Sequence, residues 1–112
     1  MSQLTTHILD TTKGKPAKDV KIVLYRNKND QWIEVARGIT NIDGRNADLI
    51  RNDVLLENGI YKMRFETKDY FDKDGIATFY PWVDIVFTIE AQEHYHIPLL
   101  LNPFGFSTYR GS

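Results

Sequence analysis

Three side chains in this sequence change charge close to neutral pH, and all are histidines: His7, His94 and His96. His94 and His96 stand two apart, so a strand carries both on one face. With His7 they have the composition of a three-histidine zinc site. No carboxylate stands out beside them as the outer partner that metal-bound imidazoles need, which favours a metal-free role as acid and base. Arg45 follows Asp43-Gly44, where an ordinary hairpin tip would also put an arginine. Its planar, permanently charged fork suits both a polar ring and a developing oxyanion. The polar tail Tyr109-Arg110-Gly111-Ser112, taken alone, reads as a frayed end. Other chemistries lack their parts. There is no cysteine, which excludes disulfides, thiolate zinc sites and cysteine nucleophiles. No Gly-rich phosphate loop, Ser-His-Asp motif or paired-carboxylate motif is present.

Those residues need elements to hold them, and period-two alternation says the elements are strands. Tyr61, Met63 and Phe65 alternate with Lys62, Arg64 and Glu66. Val83, Ile85, Phe87 and Ile89 share one face, and Val20, Ile22 and Leu24 repeat the pattern. Turn residues separate the runs: Lys13-Gly14-Lys15-Pro16, Asn27 to Asp30, Asp43-Gly44 and Asn58-Gly59. Many short strands so punctuated predict an antiparallel sandwich. Lys68–Gly75 differs, being polar with an aromatic pair, and predicts one short helix ending at Gly75. Tyr70, Phe71, Phe79, Tyr80 and Trp82 are expected to pack under that helix and its loop. Ala47–Ile50 is a short segment that could pair or not.

The same period sorts the histidines. In Leu4–Asp10, Leu4 and Ile8 point inward while Thr5, His7 and Leu9 point out. In His94–Leu101, Tyr95, Ile97, Leu99 and Leu101 form the apolar set, with His94, His96, Pro98 and Leu100 opposite. Leucine mixed with histidine on an outer face predicts contact with another subunit.

With 112 residues the chain fits one domain, spanning 1–112. A formal net charge of -1 carries no footprint for nucleic acid. The start, MSQLTTHILD, lacks the features of a secretory signal, no run reaches the length of a membrane span, and the final residues are not the peroxisomal tripeptide. The expectation is therefore a cytoplasmic protein with neither nucleic-acid nor membrane partners.

Three stretches together resemble a known family. LTTHILDTTKGKPA (residues 4–17), TNIDGR (40–45) and HYHIPLLLNPFGFSTYRGS (94–112) are similar to the 5-hydroxyisourate hydrolases, or transthyretin-related proteins. The likeness covers nearly the whole length, and the final YRGS separates these hydrolases from the hormone carrier of the same fold. NPFGFS stands where SPYGYS is commoner, which removes hydroxyls at Phe104 and Phe106, outside the site set. The resemblance implies an all-β, two-sheet antiparallel transthyretin-like sandwich with one short helix. It further implies a homotetramer, a dimer of dimers, with sites in the channel between dimers and no cofactor or metal.

The implied reaction hydrolyses 5-hydroxyisourate, a small-molecule substrate of urate degradation, to 2-oxo-4-hydroxy-4-carboxy-5-ureidoimidazoline. The residues carried over as catalytic are His7, Arg45, His96 and Ser112, with Arg45 and the tail Tyr109, Arg110, Gly111 and Ser112 binding substrate. His7 and His96 would share water activation, Arg45 would stabilise charge, and Ser112 would offer a hydroxyl and a terminal carboxylate. Which histidine is the base stays open. His94 counts as a neighbour. The competing function is a small-ligand carrier using the same channel, which charged lining residues disfavour.

Overall fold

Alternation of buried and outward residues in segments such as Leu4–Asp10 and Gly59–Phe65 lets two sheets close over one shared core. The structure, a computed structural model, describes residues 2–112. Its strands are β1 (Leu4–Asp10), β2 (Lys15–Pro16), β3 (Lys21–Lys28), β4 (Gln31–Ile39), β5 (Arg45–Asn46), β6 (Gly59–Phe65), β7 (Val83–Ile89), β8 (Tyr95–Asn102) and β9 (Gly105–Thr108), with helix α1 (Thr67–Asp72) between β6 and β7. One sheet runs β2-β1-β8-β9 with β5 also on β1, and the other runs β4-β3-β6-β7. Leu4 and Ile8 of β1 meet Tyr95, Ile97, Leu99 and Leu101 of β8 on the inner face, opposite Ile22, Leu24, Met63 and Phe65 of the second sheet. Each large side chain fully buried this way is worth roughly 1.5–3 kcal/mol. Among the described residues, no helix is long and apolar enough to cross a membrane.

One ladder departs from the antiparallel expectation. β1 and β8 run parallel, pairing Thr5 with His96, His7 with Pro98 and Leu9 with Leu100, whereas every other ladder is antiparallel. A tight turn can only join antiparallel neighbours; a parallel pair needs a long crossover, and here the whole second sheet intervenes. By contrast the β3–β4 hairpin follows its turn signal closely. Asn29 and Asp30, at φ 53° and 62°, form a two-residue turn of the mirror-image kind that matches strand twist, between Lys28 and Gln31.

The helix begins one residue earlier than predicted and its regular part stops at Asp72. Gly75, at φ 65°, still ends it: Ile76 N–H donates to the Phe71 carbonyl and Gly75 N–H to the Asp72 carbonyl, the paired closure of a left-handed terminal glycine. Tyr70 and Phe71 pack inward as expected, and the Tyr70 hydroxyl donates to buried Asp10 at 2.8 Å, tying helix to β1. Phe79 and Trp82 do not join them, being 73% and 43% exposed. Their loop is held outside instead, because Phe79 N–H and the Thr78 hydroxyl both donate to the Pro103 carbonyl. Ala47–Ile50 forms no strand, though Leu49 and Ile50 are buried.

Candidate active site

The outer face of β1 and β8 carries Thr5, His7 and Leu9 from one strand and His96 and Leu100 from the other, with His94 just before β8. Each is half-buried, as the period-two reading required. Arg45 arrives from elsewhere. β5 pairs antiparallel with β1 and sets Arg45 directly opposite His7, which puts their side chains on one face. Local chemistry fixes this approach. The Asn41 side-chain oxygen accepts from the backbone N–H of Asp43 and of Arg45, at 2.9 and 3.1 Å. Gly44 then passes so close to β1 that a Cβ would lie 2.5 Å from the Ile8 carbonyl oxygen, and its φ is 72°. Only glycine meets both demands.

These residues line a cavity of about 300 Å³ that includes Thr5, Arg45, Asn46, His94, His96 and Ser112. Arg45, His96 and Ser112 therefore come together. His7 borders the group without lining that cavity; it lies close enough to Arg45 to feel its charge. Tyr109 and Arg110 are not brought in. They line a neighbouring cavity of about 350 Å³ between β7 and β9, where His96 also contributes a wall. Tyr109 is 61% exposed, and the Arg110 guanidinium lies 4.5 Å over the Tyr95 ring and bonds Glu93 at 2.7 Å. The tail runs along β8, with Gly111 N–H donating to the His96 carbonyl at 2.8 Å. Arg110 is instead held at the neighbouring cavity by Glu93 and the Tyr95 ring, while Ser112, at the end of the tail, lines the cavity that holds Arg45. At Gly111 a Cβ would sit 2.6 Å from the His96 ring, so glycine lets the tail lie against the imidazole.

Electrostatics set the protonation states. His96 has its pKa lowered, first by burial, then by Arg45, His94 and His7, against a raising hydrogen bond that the ring donates to the Thr5 backbone. His7 is lowered by burial and Arg45, against Asp43. Both imidazoles are therefore neutral at pH 7, the form that accepts a proton. Among the described residues no carboxylate pairs with Arg45, so its charge is available to a ligand. The three-histidine zinc arrangement is not formed: among the described residues, no three metal-ligating side chains of His, Cys, Asp or Glu cluster.

Thr5 is the site residue that sequence reading passed over. Its Oγ1 lies 2.9 Å from His94 Nε2 and 2.8 Å from His96 Nδ1, and the two rings stack with centroids 6.3 Å apart. Its outward direction was legible; its place opposite His96 depends on the parallel register.

Comparison with known proteins adds an independent line. The family model described as "HIUase/Transthyretin family" matches residues 4–111. A Mus musculus protein named 5-hydroxyisourate hydrolase is 42% identical, over 99% of this chain and 96% of its own length. Among solved structures, transthyretin from Sparus aurata superposes with a TM-score of 0.92 at 32% identity, covering 99% of this chain and 97% of that one. The 5-hydroxyisourate hydrolase of Klebsiella pneumoniae gives 0.87 at 37% identity, covering 99% and 100%.

Proposed function

Since the chain belongs to the HIUase/transthyretin family, we propose that it hydrolyses 5-hydroxyisourate, opening a ring C–N bond to give 2-oxo-4-hydroxy-4-carboxy-5-ureidoimidazoline. One observation carries this reading: a neutral imidazole, His96, shares a cavity with the unpaired guanidinium of Arg45 and with Ser112. With Nδ1 held by Thr5, His96 turns Nε2 to a water molecule and takes its proton. The hydroxide adds to the ring carbonyl carbon. Arg45 stabilises the oxyanion that forms, and its fork orients the planar ring. The C–N bond then breaks, and the ring nitrogen leaves with the proton that His96 returns. His7, paired across from Arg45, is a second neutral proton acceptor, and Ser112 hydrogen-bonds substrate or water. Base, oxyanion partner and proton donor are all side chains, so the scheme routes no step through a metal.

We extend the proposal to a homotetramer whose copies cover the outer face of β1 and β8, where Leu9 and Leu100 pair. Sedimentation as a monomer would contradict that part.

The carrier reading draws on the higher TM-score with transthyretin. Backbone similarity does not carry activity, however, and this cavity is lined by charged and polar groups unsuited to an apolar ligand. One experiment decides. Urate oxidase generates 5-hydroxyisourate in a cuvette and its ultraviolet decay is followed. Added protein should speed the decay, chelator treatment should leave that unchanged, and His96→Asn should slow it by about a hundredfold or more. Unchanged decay with the wild-type chain favours the carrier. Deleting Tyr109–Ser112 should impair turnover more than folding; normal turnover would remove the tail from the site.

A further inference from the structure

The hydroxyl of Thr5 joins two imidazoles, and that imposes a rule on their protons. Oγ1 sits 2.8 Å from His96 Nδ1 and 2.9 Å from His94 Nε2. A hydroxyl has one proton to donate. It therefore donates to one ring and accepts from the other, and the two rings cannot choose tautomers independently. If Oγ1 donates to His96, that ring carries its proton on Nε2 and presents N–H to the cavity. If Oγ1 donates to His94, His96 carries its proton on Nδ1 and presents a bare Nε2 lone pair. Only the second arrangement can accept a proton from water.

The surroundings say where the proton goes. His96 walls the cavity that holds Arg45. His94 lines that cavity too, but also borders a separate cleft with Ser2, Gln3 and Glu93. Arg45, His94 and His7 are the charged or titratable groups that act on His96. Two imidazolium rings sharing one hydroxyl would leave its proton without an acceptor, so the pair holds one added proton at a time.

We propose that Thr5 is a positioning and proton-relay residue, fixing His96 in the tautomer whose Nε2 accepts a proton and passing the displaced proton to His94. This rests on the hydrolase reading. The transfer balances. A water proton binds His96 Nε2, the Nδ1 proton moves to Thr5 Oγ1, and the Oγ1 proton moves to His94 Nε2. His96 ends neutral and His94 ends as the imidazolium, bordering the second cleft. The reverse transfer restores the first arrangement as His96 Nε2 gives its proton to the leaving nitrogen.

The test uses the intact chain with Thr5→Val, Thr5→Ser and His94→Phe. Valine keeps the branched shape a strand accepts and removes only the hydroxyl. Thr5→Val should lower kcat about tenfold to a hundredfold with KM nearly unchanged, and Thr5→Ser should restore most of it. Imidazole ¹⁵N spectra should show His96 losing its fixed Nδ1–H tautomer in Thr5→Val and keeping it in Thr5→Ser. Rates in H₂O–D₂O mixtures should bow for the wild type, where several protons move together, and become linear in His94→Phe. An unchanged tautomer and kcat in Thr5→Val, or bowing that survives in His94→Phe, overturns the relay. A wild-type chain that leaves 5-hydroxyisourate decay unchanged defeats the hydrolase reading instead, and the ¹⁵N coupling of the two rings still decides what Thr5 does.

Discussion

The two outer faces of the sandwich treat charge in opposite ways. On the β3-β6-β7 side, Arg64 makes a two-pronged bond to Asp84 at 2.8 and 3.0 Å and lies 4.4 Å over the Trp82 ring. Lys62 stands 4.5 Å over Trp32, 4.9 Å over Tyr25 and 3.9 Å from Asp84. Both of these cations have a carboxylate and an aromatic partner, so this patch is finished within the chain. On the β1–β8 side, Arg45 has no carboxylate partner among the described residues, and His7 and His96 are held neutral. Paired charges stabilise a fold. Unpaired charges beside neutral imidazoles in a cavity hold interaction energy in reserve for a ligand, which is why perturbed groups mark functional sites.

The sharpest way to break this contrast is to remove the reserve. Arg45→Gln should cost about a hundredfold or more in kcat, the range seen for losing one oxyanion partner, with little change in stability. It should also move the pH profile. Arg45 lowers the pKa of both His7 and His96, so its loss raises them. The acid limb of kcat/KM, where the base becomes protonated, then shifts to higher pH. A rate loss without that shift would mean that Arg45 acts on substrate alone. The mirror substitution is Arg64→Met, in the finished patch. It should lower stability by roughly 1–2 kcal/mol, through the lost charged hydrogen bonds and cation–π contact, and leave turnover untouched. Denaturant midpoints beside initial rates would reveal any exchange of roles.

How much of this was legible in the residues follows from which interactions are local. Side-chain direction along a strand depends on the chain's own period. Leu4, Ile8, Tyr95, Ile97, Leu99 and Leu101 are therefore inside, and His7 and His96 outside, as read. Turn chemistry is local too, which is why Asn29-Asp30 and Gly75 act as expected. The choice of partner strand is not. Nothing in the spacing of LTTHILD says that it lies parallel to HYHIPLLL, and the pairing of Thr5 with His96 hangs on that register. The tail shows the same limit. Tyr109, Arg110, Gly111 and Ser112 read as one unit, yet the Arg110–Glu93 bond and the stacking of Arg110 on Tyr95 hold Arg110 at a different cavity from Ser112. Phe79 and Trp82 read as core by type alone, while backbone bonds to Pro103 hold their loop outside.

The smallest expected effect separates the two faces by pH alone. A histidine whose folded pKa lies below its ordinary 6.5 binds protons more readily in the unfolded chain. As pH falls through 6.5 the unfolded state gains protons that the folded state refuses, so stability declines. It stops declining only once the folded rings are protonated too. Arg64 does not titrate in that window, because its hydrogen bond to Asp84 raises a pKa that is already far above it. Wild type and Arg64→Met should therefore lose stability in parallel between pH 7 and 5, separated by a constant offset. The double variant His7→Asn, His96→Asn should run flatter than either. Thermal or urea unfolding at several pH values measures all three slopes. If the double variant declines as steeply as the wild type, the acid sensitivity lies outside the β1–β8 face, and the claim that this face keeps its imidazoles neutral loses its thermodynamic support.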